Sequence, residues 1–507
     1  MKSNFPIGAL LLAFIQPVAH ADTLVPQGIS SDAKIEKALA EGKIVRDDAW
    51  KLKLMARFNP AQLPEAYKGD SSRNADSILT NLASEIPTLS PASQKSLIGY
   101  FIPPIYEGSK LLSPGSQAEK DSDSNALNII DKSETPFPIP RQDWTFYETS
   151  DVKIWWDKSQ PDDGKDAARI ASIFKTVKTK LEALTGKAFI SDAGTHQFKG
   201  PSGETFAWGD GGNGKLDIYV SNLSDALALT VPYPPTCSEV SSFIVIRKTL
   251  AHDSEEIEAT LAHEYMHVLQ NTYVRGRACK EYERVDEGTA NWAIQYVFPK
   301  NNWEHRYDNF FLTAEYPLWD WSYDTWPFYL FMERTLGEKS IPDIFSNYAL
   351  SSHMEAVNQA LPGGFEKQWP FYPIREWNQT DVSDDFRTWD GLNWKPLYNI
   401  YHDKLEVNEV KPDAKGNYRY ESEVHIKPLA RQYFHFVFNN PSIRSVRFEA
   451  TLGYEPTHKG RIKALVKYFN KAFVVEDWSQ KTEDTEICRD VYDEKIEEIV
   501  LIFTNVD

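Results

Sequence analysis

The chain has 507 residues, 41% of them hydrophobic and 25% charged, with a formal net charge of −18. Length and apolar content imply two to four globular domains and exclude a wholly disordered chain. So acidic a protein is a poor partner for nucleic acid or an anionic membrane surface, a local basic patch aside.

Residues 1–21 carry Lys2, an apolar run from Ile7 to Val18, and Ala19-His20-Ala21 before Asp22, the pattern of a secretory signal peptide. No other apolar run approaches eighteen residues, so no integral membrane segment is expected and the protein is read as exported, extracellular or periplasmic. Removing residues 1–21 deletes only Lys2 among charged groups and moves the net charge from −18 to −19.

From Ser31 to Gly69 the apolar spacing is helical, with Ile35, Leu39 and Ala40 in one segment and Ala49, Leu52, Leu54, Met55 and Phe58 in a second that Pro60 stops. Residues 22–112 form an N-terminal helical region, either a propeptide or an integral part of the mature protein. Residues 113–142, rich in Ser, Asp and Pro, read as a linker.

A third segment, 143–389, opens with strand candidates at Val152–Trp156 and Leu216–Val220, separated by a helix over Ala167–Thr185. Asp210, Asn213 and Asp217 lie in a glycine-rich turn. They are either ligands for Ca²⁺ or simply a turn leading into a strand, since the spacing departs from an EF-hand loop. A strand at Ser242–Ile246 precedes an amphipathic helix for which Asp253 and Glu256 form a capping box.

That helix contains His263-Glu264-Tyr-Met-His267, an H-E-x-x-H sequence. Histidines four apart share a helix face and can reach one Zn²⁺, while Glu264 is placed to act as a general base rather than a ligand. A catalytic zinc needs a third protein ligand, and Val285-Asp-Glu287-Gly-Thr-Ala-Asn-Trp292 offers Glu287 on a following helix.

With these residues the chain resembles the gluzincins, zinc metallopeptidases in which a glutamate on the next helix completes the site, as in thermolysin-like enzymes. Their N-E-x-x-S-D pattern is matched here only in Glu287. The resemblance is closer to secreted bacterial metallopeptidases with H-E-[FY]-x-H-x-[ILV]-Q and then E-G-T-A-x-W, both of which are present. It implies an α+β, thermolysin-like zincin catalytic domain, a protein or peptide substrate, one catalytic Zn²⁺ held by His263, His267 and Glu287, and a sheet edge that pairs with the substrate backbone. It further implies that Asn291 takes the place from which an aspartate orients a zinc-bound histidine, and that Tyr323, with His305 a weaker candidate, donates to the oxyanion. The competing reading is an exported binding or adhesive protein on a degenerate peptidase fold.

Beyond Glu287, helices are expected at Thr325–Gly337, Ile341–Ala349 and His353–Leu361, and the tryptophans are assigned to core and groove walls rather than to a carbohydrate-stacking surface. Residues 390–507 alternate as strands, including Ile499–Phe503, and read as a C-terminal β-sandwich. Of the three cysteines, Cys237 and Cys279 are expected to pair, because a strand and the zinc helix return them to the same end, leaving Cys488. Three reduced thiols are the alternative.

Overall fold

The alternating and helical patterns fold into a mixed α+β arrangement. The computed structural model describes residues 30–506 apart from 70–77, 107, 112–142, 194–195, 200–204, 209–212, 222, 224–225, 234–235, 253, 307–313, 315, 378–384, 391–403, 407–425, 439–444, 449–458, 480–484 and 489–494. The signal-peptide and linker readings, Asp210 and the proposed cap Asp253 lie outside the described residues. The chain divides into two compact units, Pro26–Arg306 with Leu336–Val357, and Tyr307–Thr335 with Asn358–Asp507.

The first unit begins with helices α1 (Ser31–Ala40), α2 (Arg46–Phe58), α3 (Ile78–Glu85) and α4 (Pro91–Leu97). Ser30 and Ser90 cap α1 and α4 by accepting from the Ala33 and Ser93 amides, and Pro91 occupies the first turn, where its missing N–H costs nothing. Then come β1 (Trp144–Glu148), β2 (Val152–Asp157), α5 (Ala167–Thr185), a hairpin of β3 (His196–Lys199) and β4 (Thr205–Trp208), β5 (Leu216–Ser221), β6 (Ala228–Tyr233) and β7 (Ser241–Arg247). Gly186 ends α5 at φ 65°, the left-handed conformation for which glycine carries no penalty. Helices α6 (Ser254–Gln270) and α7 (Glu283–Val297) follow.

The main sheet runs β1-β2-β5-β7-β6, parallel through β2, β5 and β7, with antiparallel strands at both edges. Register sorts its two faces. Trp155, Tyr219, Leu229, Val231, Tyr233, Phe243 and Val245 join one apolar core with Trp50 and Leu54 of α2 and Leu79 and Leu82 of α3. The alternate residues, among them Ile154, Ile218, Ile244 and Thr230, point the other way, where α5 packs on β2 and α6 on β6 and β7. The N-terminal helices are thus one layer of a three-layer structure. At about 1.5–3 kcal/mol for each fully buried large apolar side chain, losing that layer would strongly destabilise the sheet.

In the second unit, helices at Trp326–Leu336 and Tyr372–Trp377 pack through aromatics, with the Phe328 ring 5.5 Å from Tyr372 and 5.6 Å from Trp369. Strands β8 (Lys404–Glu406), β9 (Arg431–Val437), β11 (Gly460–Tyr468), β12 (Phe473–Asp477) and β14 (Ile496–Asn505) form a sheet in the order β12-β11-β14-β9-β8, while β10 (Ser445–Phe448) and β13 (Thr485–Cys488) form a separate ribbon. Among the described residues this is one full sheet and one ribbon, less than the two packed sheets of the expected β-sandwich. Strand β14 is buried on both faces, which explains the unbroken apolar run Ile499–Phe503. Trp292, Trp326, Trp369, Trp377 and Trp478 are fully buried, in keeping with the core assignment.

Candidate metal centre

Helix α6 is buried along almost its whole length, and His263, Glu264 and His267 are all inaccessible or nearly so. Helix α7 packs against it and brings Glu287 to the two histidines. Nε2 of His263 and Nε2 of His267 are 3.1 Å apart, and Oε2 of Glu287 lies 3.2 Å from the first and 3.3 Å from the second. The three predicted ligands therefore converge on one point.

The Glu287 side chain is 0% exposed and neither of its oxygens accepts a hydrogen bond among the described residues. A buried carboxylate without donors costs several kcal/mol unless a cation compensates it. Zinc bonds of about 2.0–2.2 Å at tetrahedral angles place ligand atoms roughly 3.3–3.6 Å apart, slightly wider than the triangle formed here. Two imidazoles and one carboxylate are also the donor set of a catalytic zinc centre. Without metal, burial lowers the His267 pKa, but the Glu287 carboxylate outweighs this and raises it to about 10; burial raises that of Glu287, and the histidines bring it well below the usual range. Metal binding here would therefore compete with protonation of His267.

Gln270 sets the orientation of His267. Its Nε2 donates to the Asp286 carbonyl at 3.0 Å and to Thr289 Oγ1 at 2.9 Å, which leaves Oε1 as the partner of His267 Nδ1 at 2.7 Å. An amide held this way accepts from Nδ1–H and directs the Nε2 lone pair of His267 toward the other ligands. The signal was in the sequence, three residues after His267 on the same helix.

Thr230 of β6 makes the equivalent contact to Glu264, with Oγ1 2.7 Å from Oε2 and 2.9 Å from the Glu264 carbonyl. Thirty-four residues separate the two, so no local pattern announces it. The contact sets the carboxylate against the antiparallel edge strand. Asp286, standing where the thermolysin-like pattern has asparagine, instead accepts from Arg275 Nη1 at 2.7 Å and Tyr348 Oη at 2.9 Å. Gly276 makes the loop to α7 feasible, since its N–H donates to the Tyr348 carbonyl at 2.9 Å and any β-carbon there would collide with the Ala349 carbonyl.

Cys237, just before β7, is disulfide-bonded to Cys279, in the 3₁₀ turn leading to α7, with Cα atoms 6.0 Å apart. The expected pairing is present. It closes a separation of 42 residues, worth about 4 kcal/mol in the chain-entropy model, and braces the approach to the helix bearing Glu287.

Asn291 is buried one turn beyond Glu287. Tyr323 is buried in the 3₁₀ turn Tyr323–Thr325, in the second unit, whereas the ligands and Glu264 belong to the first. His305 lies in the turn Trp303–Arg306, with Nε2 4.0 Å from Glu304 Oε1.

The calcium reading loses two of its three groups. Asn213 Oδ1 accepts the Lys215 amide at 3.0 Å, while the Asp217 carboxylate is buried on the aromatic face of the sheet, taking Trp155 Nε1 at 2.8 Å and Tyr219 Oη at 3.2 Å. Of this segment, the described residues Asn213 to Lys215 lead directly into β5.

No family model matches the chain, and no curated protein matches it. Among the described residues no helix is long and apolar enough to cross a membrane.

Proposed function

We propose that the protein is a metal-dependent hydrolase. The observation that carries this is the donor-free Glu287 carboxylate within 3.3 Å of two histidine nitrogens, with Glu264 on the same helix as the histidines and not among the ligands. More particularly, it is a secreted, gluzincin-like zinc endopeptidase.

His263, His267 and Glu287 would hold the zinc, which supplies Lewis acidity, making water more acidic and a peptide carbonyl more electrophilic near neutral pH. Gln270 keeps His267 in its ligating tautomer. Glu264, steadied by Thr230, accepts the proton of the attacking water and passes it to the leaving amine nitrogen. Among the described residues strand β6 has one neighbour in the sheet and contacts α6, which supports a role as the edge along which an extended peptide lies. The disulfide supports export, because such bonds persist in oxidising compartments.

The test is a casein digest with the zinc-loaded protein and its Glu264→Gln variant. Wild type should cleave, and the variant should retain metal while losing about 10²–10⁴ in rate. An equally active variant would refute the role of Glu264, and an inert metal-loaded wild type would refute the proposal and leave the non-enzymatic reading.

A further inference from the structure

The N-terminal layer reaches the metal helices at one polar point. A small cavity beside His267 is lined by Asn81 of α3, by Gln270 at the end of α6, by Arg275, and by Glu283 and Asp286 of α7. Its hydrogen-bonding demands can be worked out atom by atom.

Gln270 has all its groups engaged, as described above. Asn81 Nδ2 donates to Glu283 Oε2 at 2.8 Å, and because a carboxylate only accepts, the amide cannot turn round. Its Oδ1 is therefore the leftover atom, buried and without a donor among the described residues. Arg275 Nη1 is committed to Asp286, and its guanidinium carbon stands 5.3 Å and 5.5 Å from the ring centres of Tyr282 and Tyr348. Its Nε–H is buried and without an acceptor among the described residues, in a side chain only 1% exposed.

Both side chains line the same cavity, and each brings one buried group that costs about 1–3 kcal/mol if unmet. An anion would fit Arg275 but would face Asn81 Oδ1 and two carboxylates. A cation would fit those oxygens but meet the guanidinium. A molecule that both accepts and donates satisfies both, and in a small cavity this is water.

We propose that the cavity is a structural water site, in which Arg275 Nε–H donates to one water molecule and that molecule donates to Asn81 Oδ1. The bridge bonds α3 to the Arg275–Asp286 pair, whose carbonyl at Asp286 in turn holds Gln270. Asn81 is then a positioning residue for the metal centre, and the N-terminal layer is part of that centre's support.

A crystal structure of the full chain at about 1.5 Å decides the site. One density peak about 2.7–3.2 Å from both Asn81 Oδ1 and Arg275 Nε is expected, and no peak in Asn81→Leu. An empty cavity, an ion, or an amide turned the other way overturns the site, and the wild-type map alone suffices if the variant does not fold. The positioning role rests on the metal reading and has its own measurement, zinc release to a chelator. Asn81→Leu should speed release about three- to tenfold, less than the tenfold or more typical of a ligand's direct partner. Unchanged release with the water gone would overturn the role. A wild type that binds no zinc would instead overturn the metal reading and leave the water site standing.

Discussion

Each unit of the molecule buries a glutamate completely, and the two are treated in opposite ways. In the second unit Glu376 is surrounded by donors: Arg431 bonds both carboxylate oxygens through Nε and Nη2, Tyr372 donates to Oε1 at 3.0 Å and Tyr433 to Oε2 at 2.6 Å. In the first unit Glu287 has, among the described residues, only two imidazole nitrogens as polar partners within reach. A carboxylate supplied with its own cation and hydroxyls is a piece of framework. One left facing neutral-capable nitrogens is arranged for a cation from outside.

The contrast can be broken from either side. The largest effect expected on the fold is at the satisfied pair: Glu376→Ala leaves the Arg431 charge buried and uncompensated and should cost about 3–5 kcal/mol, read by denaturant unfolding, with zinc stoichiometry intact. Stability within 1 kcal/mol of wild type would show that the cluster holds little together.

Next is Gln270→Leu, which removes the acceptor of His267 Nδ1 without touching a ligand. Zinc affinity should fall about 10–100-fold in a chelator competition, with the secondary structure unchanged by circular dichroism. Wild-type affinity would mean that packing alone fixes the His267 ring.

The smallest effect concerns an ion pair at the surface. Burial raises the Asp477 pKa, but the hydrogen bonds from Lys463 and Ser479 together prevail and bring it down to about 2, from an ordinary 3.8. A depressed folded value means that the pair's contribution is present above the unfolded pKa and is lost as pH falls from about 4 to 2. Asp477 is 56% exposed, so the contribution should not exceed about 1 kcal/mol. Lys463→Met should therefore lower stability slightly at pH 6 and not at pH 2, as read from denaturant midpoints.

The same contrast shows what the sequence made legible. His263, His267 and Glu287 announce themselves through helical spacing and chemistry, and α5 is bounded as read, because a 3.6-residue period and a terminal glycine are local signals. The disulfide followed from strand and helix lengths. Thr230 and Asn81 were silent: each acts across a distance in sequence on a partner chosen by β-sheet register or layer packing. Glu376 was silent too, since apart from Tyr372, one helical turn away, its donors arrive from β9, over fifty residues later. The calcium reading failed for the same reason, because register turns Asp217 toward the aromatic face.

The central claim is that His263, His267 and Glu287 together hold one metal ion, and metal analysis of the purified full-length protein addresses it most directly. After dialysis against zinc and then buffer, wild type and Glu264→Gln should each retain about one zinc per chain, and Glu287→Ala should retain almost none. Zinc retained equally by Glu287→Ala, or absent from wild type, would contradict the account.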